Sequence, residues 1–185
     1  MSALSLDIPI METERLILRG PEARDFDALA AFFADEARSW GFDGPKTRNE
    51  AWRWFASNIG HWALQGYGFW TVETRGGQII GIVGLWSPEG WPEPELGWVM
   101  FAGGEGKGYA HEAAQTARQY AYDHMGFTTL TSNILPGNTR SVALAERLGA
   151  WHERDFTNVT GDAEMAYRHP APEALAKVPE QDGAA

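Results

Sequence analysis

The chain has no cysteine among its 185 residues. That absence removes disulfides, thiolate zinc sites and covalent catalysis through a thiol, so its chemistry must use other groups. It also lacks any apolar run near the ~18 residues a membrane span needs, and its start, MSALSLDIPIM, has neither a basic segment nor a signal-length apolar core. A soluble, cytoplasmic protein without a membrane partner is expected. Basic residues are scarce: 15 Lys and Arg against 25 Asp and Glu give a net charge of -10. That balance argues against a nucleic acid gripped over a wide surface. His61, His124, His152 and His169 show no ligand spacing, so no metal is expected.

What is present is 44% hydrophobic residues and nine tryptophans, enough for one core and one domain, placed over residues 1–169. The remainder, PAPEALAKVPEQDGAA at 170–185, has too little apolar content to pack and reads as a disordered tail. ERLILR, residues 14–19, alternates as a strand. Residues 25–38 and 48–64 carry apolar side chains at helical spacing. GFWTVETR and QIIGIVGLW flank Gly76-Gly77, the signature of a tight hairpin. ELGWVMF, 95–101, reads as a fourth strand, residues 109–125 as a helix stopped by Gly126, and 128–134 as a strand. Strand, glycine turn, helix and strand in succession make a right-handed β-α-β crossover with two parallel strands. A helix at 139–148 and a closing hairpin from 150–157 and 162–169 complete a mixed α/β fold with seven strands, mostly antiparallel.

The stretch GGEGKGYAHEAAQ, from Gly103, sets glycines immediately before a good helix and offers no Ser, Thr, Asp or Asn to cap it. A helix start leaves about four amides without partners and carries roughly half a positive charge. With Gly106 and Gly108 on the approach, an external anion can reach those amides, so the stretch suits a phosphate. A Walker-type loop is excluded because Lys107 is followed by Gly108 and Tyr109 and not by a hydroxyl. A dinucleotide fingerprint is excluded because its third glycine position is Tyr109 and the motif follows antiparallel hairpins.

ETERLILR, ELGWVMF, EGKGYAHEA and PGNTRSVALAERLGA, in that order, resemble the GNAT superfamily of acetyl-CoA-dependent N-acetyltransferases, and within it the ribosomal-protein N-terminal acetyltransferase branch. The resemblance runs from about Glu12 to His169. It implies a GNAT-like sheet with helices on both faces, acetyl-CoA as cosubstrate, and a primary amine as acceptor, on a protein terminus or a small molecule. Gly106, Lys107, Gly108, Tyr109 and Ala110 would hold the pyrophosphate through backbone amides, with Glu105 standing where the family has Gln or Arg and expected to face solvent. Trp98, Val99 and Met100 would offer backbone groups to the pantetheine arm, their side chains being core. Asn138 would bond the cofactor and also suits the N-cap of its own helix. His111 is either a phosphate contact or a solvated first-turn residue.

The reaction implied is direct attack of a neutral amine on the thioester in a ternary complex, which needs a base, an oxyanion donor and an acid. The Glu that some family members place after the crossover is Asn133 here, so Glu95 is the candidate base, with Glu93 second. The Tyr many members carry is Ala145, which leaves Ser141 as acid and cofactor contact, directly or through water. A backbone amide near Val99 or Met100 would meet the oxyanion. Trp40, Trp86 and Trp91 would flank the amine pocket, while Trp52, Trp62 and Trp70 are read as core. The other reading left open is a non-catalytic acetyl-CoA-binding or sensing domain; the oligomer is a monomer or a homodimer.

Overall fold

The computed structural model describes residues 6–175. Its elements run β1 (Met11–Glu12), β2 (Leu16–Arg19), a 3-10 turn at Ala23–Asp25, α1 (Phe26–Ala34), α2 (Glu36–Ser39), a 3-10 turn at Trp40–Phe42, and α3 (Arg48–Gln65). There follow β3 (Phe69–Thr74), β4 (Ile79–Trp86), β5 (Glu95–Met100), α4 (Tyr109–His124), β6 (Thr131–Ile134), α5 (Thr139–Arg147), β7 (Trp151–Thr157), β8 (Ala163–Arg168) and α6 (Pro172–Leu175). The strands make one sheet in the order β1-β2-β3-β4-β5-β6-β8-β7. β5 and β6 are its parallel pair, and the other neighbours are antiparallel. The eighth strand, absent from the sequence reading, is β1, two residues that pair with Leu18 and Ile17 of β2.

The helix expected over 25–38 breaks at Asp35, whose extended backbone (φ -90°, ψ 101°) lets its side chain accept from the Arg38 amide and cap α2. A short carboxylate that bonds nearby amides competes with helix continuation. The strand expected at 128–134 begins only at Thr131. The expected tail starts with a docked segment: Tyr122 donates its hydroxyl to the Pro170 carbonyl at 3.0 Å, and Leu175 packs against the main core. Residues 176–185 lie outside the described residues.

Period-two alternation sends β5 side chains to two different layers. Leu96, Trp98 and Met100 pack toward α4, whose Ala113, Ala114, Ala117 and Ala121 are fully buried and let the helix sit close. Val99 faces the other layer, with Phe26, Phe33 and Phe55 of α1 and α3. Trp62 and Trp70 are core as expected, but Trp52 is 50% exposed and meets the interior at Phe26, edge-on, and at Phe55.

β5 pairs with β4 along its whole length, yet with β6 at a single position, Glu95 opposite Thr131. The last link before the strands part is a side chain: Ser132 Oγ donates to the Leu96 carbonyl at 2.6 Å. His169 donates from Nε2 to that Ser132 oxygen (2.9 Å) and accepts at Nδ1 from Arg118 (3.2 Å), which also donates to the Leu148 carbonyl. Burial first, then the charges of Arg118 and Arg168, push the His169 imidazole down to about 3, so the ring stays neutral and keeps its acceptor.

A neutral ring in the fold with a normal one in the unfolded chain ties stability to acid. The His169 contribution is complete above the unfolded value of 6.5 and is lost as pH falls toward about 3, with a slope of at most about 1.4 kcal/mol per pH unit. Urea unfolding of His169→Gln should therefore show lower stability at neutral pH but a flatter loss between about pH 6 and pH 4. An acid slope equal to the parent's would show that another group sets it.

Candidate active site

α4 begins without a side-chain cap; its N-cap is Gly108 in the left-handed region (φ 78°). Gly106 is left-handed too (φ 73°), and a Cβ there would meet nothing within 4 Å, so the loop is open on its outer side. Among the described residues, no amide from Gly106 to His111 donates to a protein acceptor. The loop is held from below. Arg15 Nη1 donates to the Lys107 carbonyl at 2.9 Å, its Nε donates to Glu112 at 2.7 Å, and its guanidinium lies 4.9 Å from the Tyr109 ring centre. Burial works to raise the Glu112 carboxyl, but hydrogen bonds from Thr13 and Arg15 bring it below the usual range.

Glu105 does not simply face solvent. It accepts from Arg38 Nη1 at 2.7 Å and lies 3.6 Å from Arg140 Nη1, and it takes none of the helix-start amides. His111 turns from the loop toward α5, its Nε2 3.4 Å from the Arg147 carbonyl.

Beyond Leu96, the edge of β5 that faces β6 has no strand partner. The Phe101 amide donates to the Ile80 carbonyl of β4 at 2.8 Å. Alternation along an antiparallel pair then gives the Val99 amide to β4 and turns those of Trp98 and Met100 to the open side. Val99 thus departs from its expected role: its backbone belongs to the β4 ladder and its side chain, 5% exposed, to the α1–α3 core. On the α4 and α5 face of the opening, Trp98 Nε1 donates to Ser141 Oγ at 3.4 Å, and Asn138 Oδ1 caps α5 by accepting from the Ser141 amide at 3.2 Å. The other half of the Asn138 amide lies so near Gly41 that a Cβ there would come within 2.5 Å of Nδ2.

Glu95 lies on the opposite face, paired in register with Trp86 on one side and Thr131 on the other. Trp86 stacks on His61 (4.5 Å between ring centres) and on Trp54 (5.8 Å). The adjoining wall forms where the 87–94 loop meets the β7–β8 hairpin, so closely that a Cβ on Gly90 would lie 2.9 Å from Val159. Around Glu95, Thr131 Oγ1, Asn133 Oδ1 and Glu164 Oε2 are buried oxygens with no hydrogen-bond partner, and the buried donors Trp91 Nε1 and Asn133 Nδ2 are directed at the Glu95 carboxyl, where their bonds oppose a rise in its pKa. Burial first, and then the charge of Glu164, push the Glu95 carboxyl up to about 8. Glu93, the second candidate, goes the other way: hydrogen bonds from Arg168 foremost, joined by Arg154 at 2.8 Å, hold its carboxyl low and occupy it.

The structure therefore gathers Glu95, Trp86 and Trp91 on one face and Ser141, Trp98 and Asn138 on the other. Trp40, 43% exposed, sits in the turn that runs against Asn138 and does not join Glu95. The sequence reading missed Arg15, Arg38, Thr131 and Glu164, and set Asn133 aside as unable to accept a proton. Glu164 and Asn133 carried a usable signal: both are polar side chains within strands otherwise committed to the sheet. Among the described residues, no group of three or more His, Cys, Asp or Glu side chains is arranged to hold a metal ion, and no helix is long and apolar enough to cross a membrane.

The family model for the acetyltransferase (GNAT) domain matches residues 15–150. The chain belongs to the GNAT acetyltransferase family. A relative of known structure, the acetyltransferase from Agrobacterium tumefaciens C58, is 34% identical with a TM-score of 0.82, over 92% of this chain and 99% of that one. YkkB of Bacillus subtilis 168, an uncharacterized protein, is 28% identical over 146 residues, which span 77% of this chain and 85% of the relative. The ribosomal L7/L12 α-N-protein acetyltransferase, solved in complex with coenzyme A, superposes with a TM-score of 0.71 at 16% identity, covering 87% of this chain and 97% of that one. At that identity the likeness is one of GNAT fold.

The carboxyl carbon of Glu95, followed by NMR, should titrate near pH 8, and Glu164→Gln should move its midpoint down because a nearby negative charge is removed. A midpoint in the ordinary carboxylate range in the parent protein would show that solvent reaches the group.

Proposed function

We propose that the protein transfers an acetyl group from acetyl-CoA to a primary amine by direct attack, with Glu95 as general base and Ser141 as general acid. The observation that carries this reading is the Glu95 carboxyl, raised to about 8 beside an opening between two parallel strands. A base whose pKa lies near the working pH combines a usable deprotonated fraction with real proton affinity.

The residues present fit the cosubstrate. The uncapped start of α4, with the amides of Gly106, Lys107, Gly108, Tyr109 and Ala110 open and Arg15 fixing the loop beneath, suits a pyrophosphate. The amides of Trp98 and Met100 suit an extended pantetheine arm lying where β6 has left β5, and one of them can meet the oxyanion. Asn138 has Nδ2 to offer once Oδ1 is spent on its own helix. His111, directed at α5, is better placed to join two helices than to bind phosphate.

Placing Glu95 and Ser141 on opposite faces suits the chemistry. The amine arrives past Trp86 and Trp91, loses its proton to Glu95 and forms the C–N bond from one side. The sulfur leaves from the other side with a proton from Ser141, and the second proton that the nitrogen sheds on becoming an amide returns to Ser141 through solvent. Because Ser141 Oγ already accepts from the Trp98 indole, its hydrogen is free to be donated. The acceptor is a small-molecule or peptide amine, and the acetyl-binding reading alone would leave the elevated Glu95 without a task.

Released CoA can be followed with a thiol reagent, and a protein with no cysteine adds no background. The rate should rise with pH through about 8 as Glu95 deprotonates, and Glu95→Gln should lower kcat by about 10²- to 10⁴-fold. An unchanged rate in that variant would remove Glu95 from the mechanism. Gly108→Val, at a left-handed position (φ 78°), should weaken CoA binding at least about tenfold. An unfolding curve close to the parent's separates lost binding from lost fold, and unaltered CoA affinity would refute the phosphate site.

A further inference from the structure

The face of the sheet that carries Glu95 holds more than a base requires. Glu164, on β8, lies partly buried with Oε1 accepting from Asn158 Nδ2 at 2.9 Å and Oε2 buried without a partner. Thr131, fully buried, stands in register beside Glu95 on the same face, and its Oγ1 also has no partner. Asn133, two residues on and therefore on that face too, directs its N–H at Glu95 and leaves Oδ1 unsatisfied. Buried polar groups without partners cost stability and are rare in a folded chain. Here the Thr131, Asn133 and Glu164 oxygens converge on one place and lack an N–H donor, while the donors Asn133 Nδ2 and Trp91 Nε1 are directed at the Glu95 carboxyl.

The charges nearby say which ligand. Arg168 and Arg154 are the cations of this region, and both are consumed by carboxylates: Glu93 takes both, and Glu153 takes Arg168 at 2.6 Å. No guanidinium is left to receive a carboxylate on the acceptor. Glu164 is pushed upward by burial foremost and further by Asp162, with the Asn158 bond opposing. Two carboxylates held this way lower their mutual repulsion by taking up protons or by binding cations.

We infer that Glu164 determines acceptor specificity by binding a second protonated nitrogen, so that the acceptor is a small amine carrying two ammonium groups. The inference rests on the acetyl-transfer reading of the same site. Glu95 takes the proton of the nitrogen that attacks, the C–N bond forms and the C–S bond breaks. The second ammonium keeps its proton throughout, paired with Glu164 and steadied by the oxygens of Thr131 and Asn133. An amino acid presents a carboxylate to the same acidic wall and is rejected.

Three four-carbon probes separate the possibilities: 1,4-diaminobutane, 1-aminobutane and 4-aminobutanoate, each assayed by CoA release and by mass of the product. The diamine should exceed the monoamine in kcat/KM by at least about tenfold, the scale of one charge-assisted hydrogen bond, mainly through a lower KM, and 4-aminobutanoate should be the poorest. Glu164→Gln, which keeps an oxygen for Asn158, should bring the diamine-to-monoamine ratio close to one. Taking the ratio cancels any change that the substitution makes in the basicity of Glu95. A monoamine accepted as well as the diamine, or a ratio indifferent to Glu164→Gln, overturns this inference and leaves acetyl transfer standing. Failure of all three probes to be acetylated overturns the inference and counts against the transfer reading with it.

Discussion

Two parallel strands that part after one rung are the constraint on which the rest of the molecule depends. β5 is tied to β4 along its length and to β6 only at Glu95. If pairing continued, the amides of Trp98 and Met100 would be spent on the sheet. The parting is anchored by buried polar groups at its apex: the serine that reaches Leu96, the neutral His169 behind it, and Arg118 behind that. Those bonds make the angle between the strands a fixed feature, since a slip by one residue would exchange the faces of every side chain on the strand.

Either side of this opening is built by a different physical means. On one side the chain withholds a cap from α4 and braces the loop from underneath with Arg15 and Glu112, so backbone dipoles are left exposed there. On the other side it buries the oxygens of Glu164, Thr131 and Asn133 beyond what its own hydrogen bonding satisfies, so it is side chains that are left unpaired there. The first arrangement suits an anion and the second a cation. Their separation by the sheet keeps the helix start's positive end from neutralising the acidic face.

Much of the fold could be read from the residues because it rests on local patterns. The Gly76-Gly77 hairpin, α3, α4 and the crossover all appear with boundaries within a few residues of those expected. The misses have local causes as well: Asp35 chose to cap a new helix, and β1 is too short to alternate. The phosphate loop was legible for the same reason, as a run of glycines before a helix. The acceptor side was only half legible. Glu95 stood at a strand end where a base was needed, but Glu164, Thr131 and Asn133 come together through pairing between strands far apart in sequence. No spacing rule reports that. Val99 was misread because which amides a strand spends on its neighbour depends on register, which the sequence of one strand does not contain.

Trp86 has a thermodynamic consequence beyond lining the cleft. It stacks on His61 and on Trp54, and His61 is itself pinned, its Nδ1 bonded to the Tyr67 carbonyl at 2.6 Å and its Nε2 accepting from the Ser87 amide at 3.1 Å. The indole has already lost its rotational freedom when the chain folds. Association then orders little protein beyond the ligand itself, the situation in which binding entropy is least unfavourable. This wall is held as a mould and not as a flap: the aromatic end stays where folding left it.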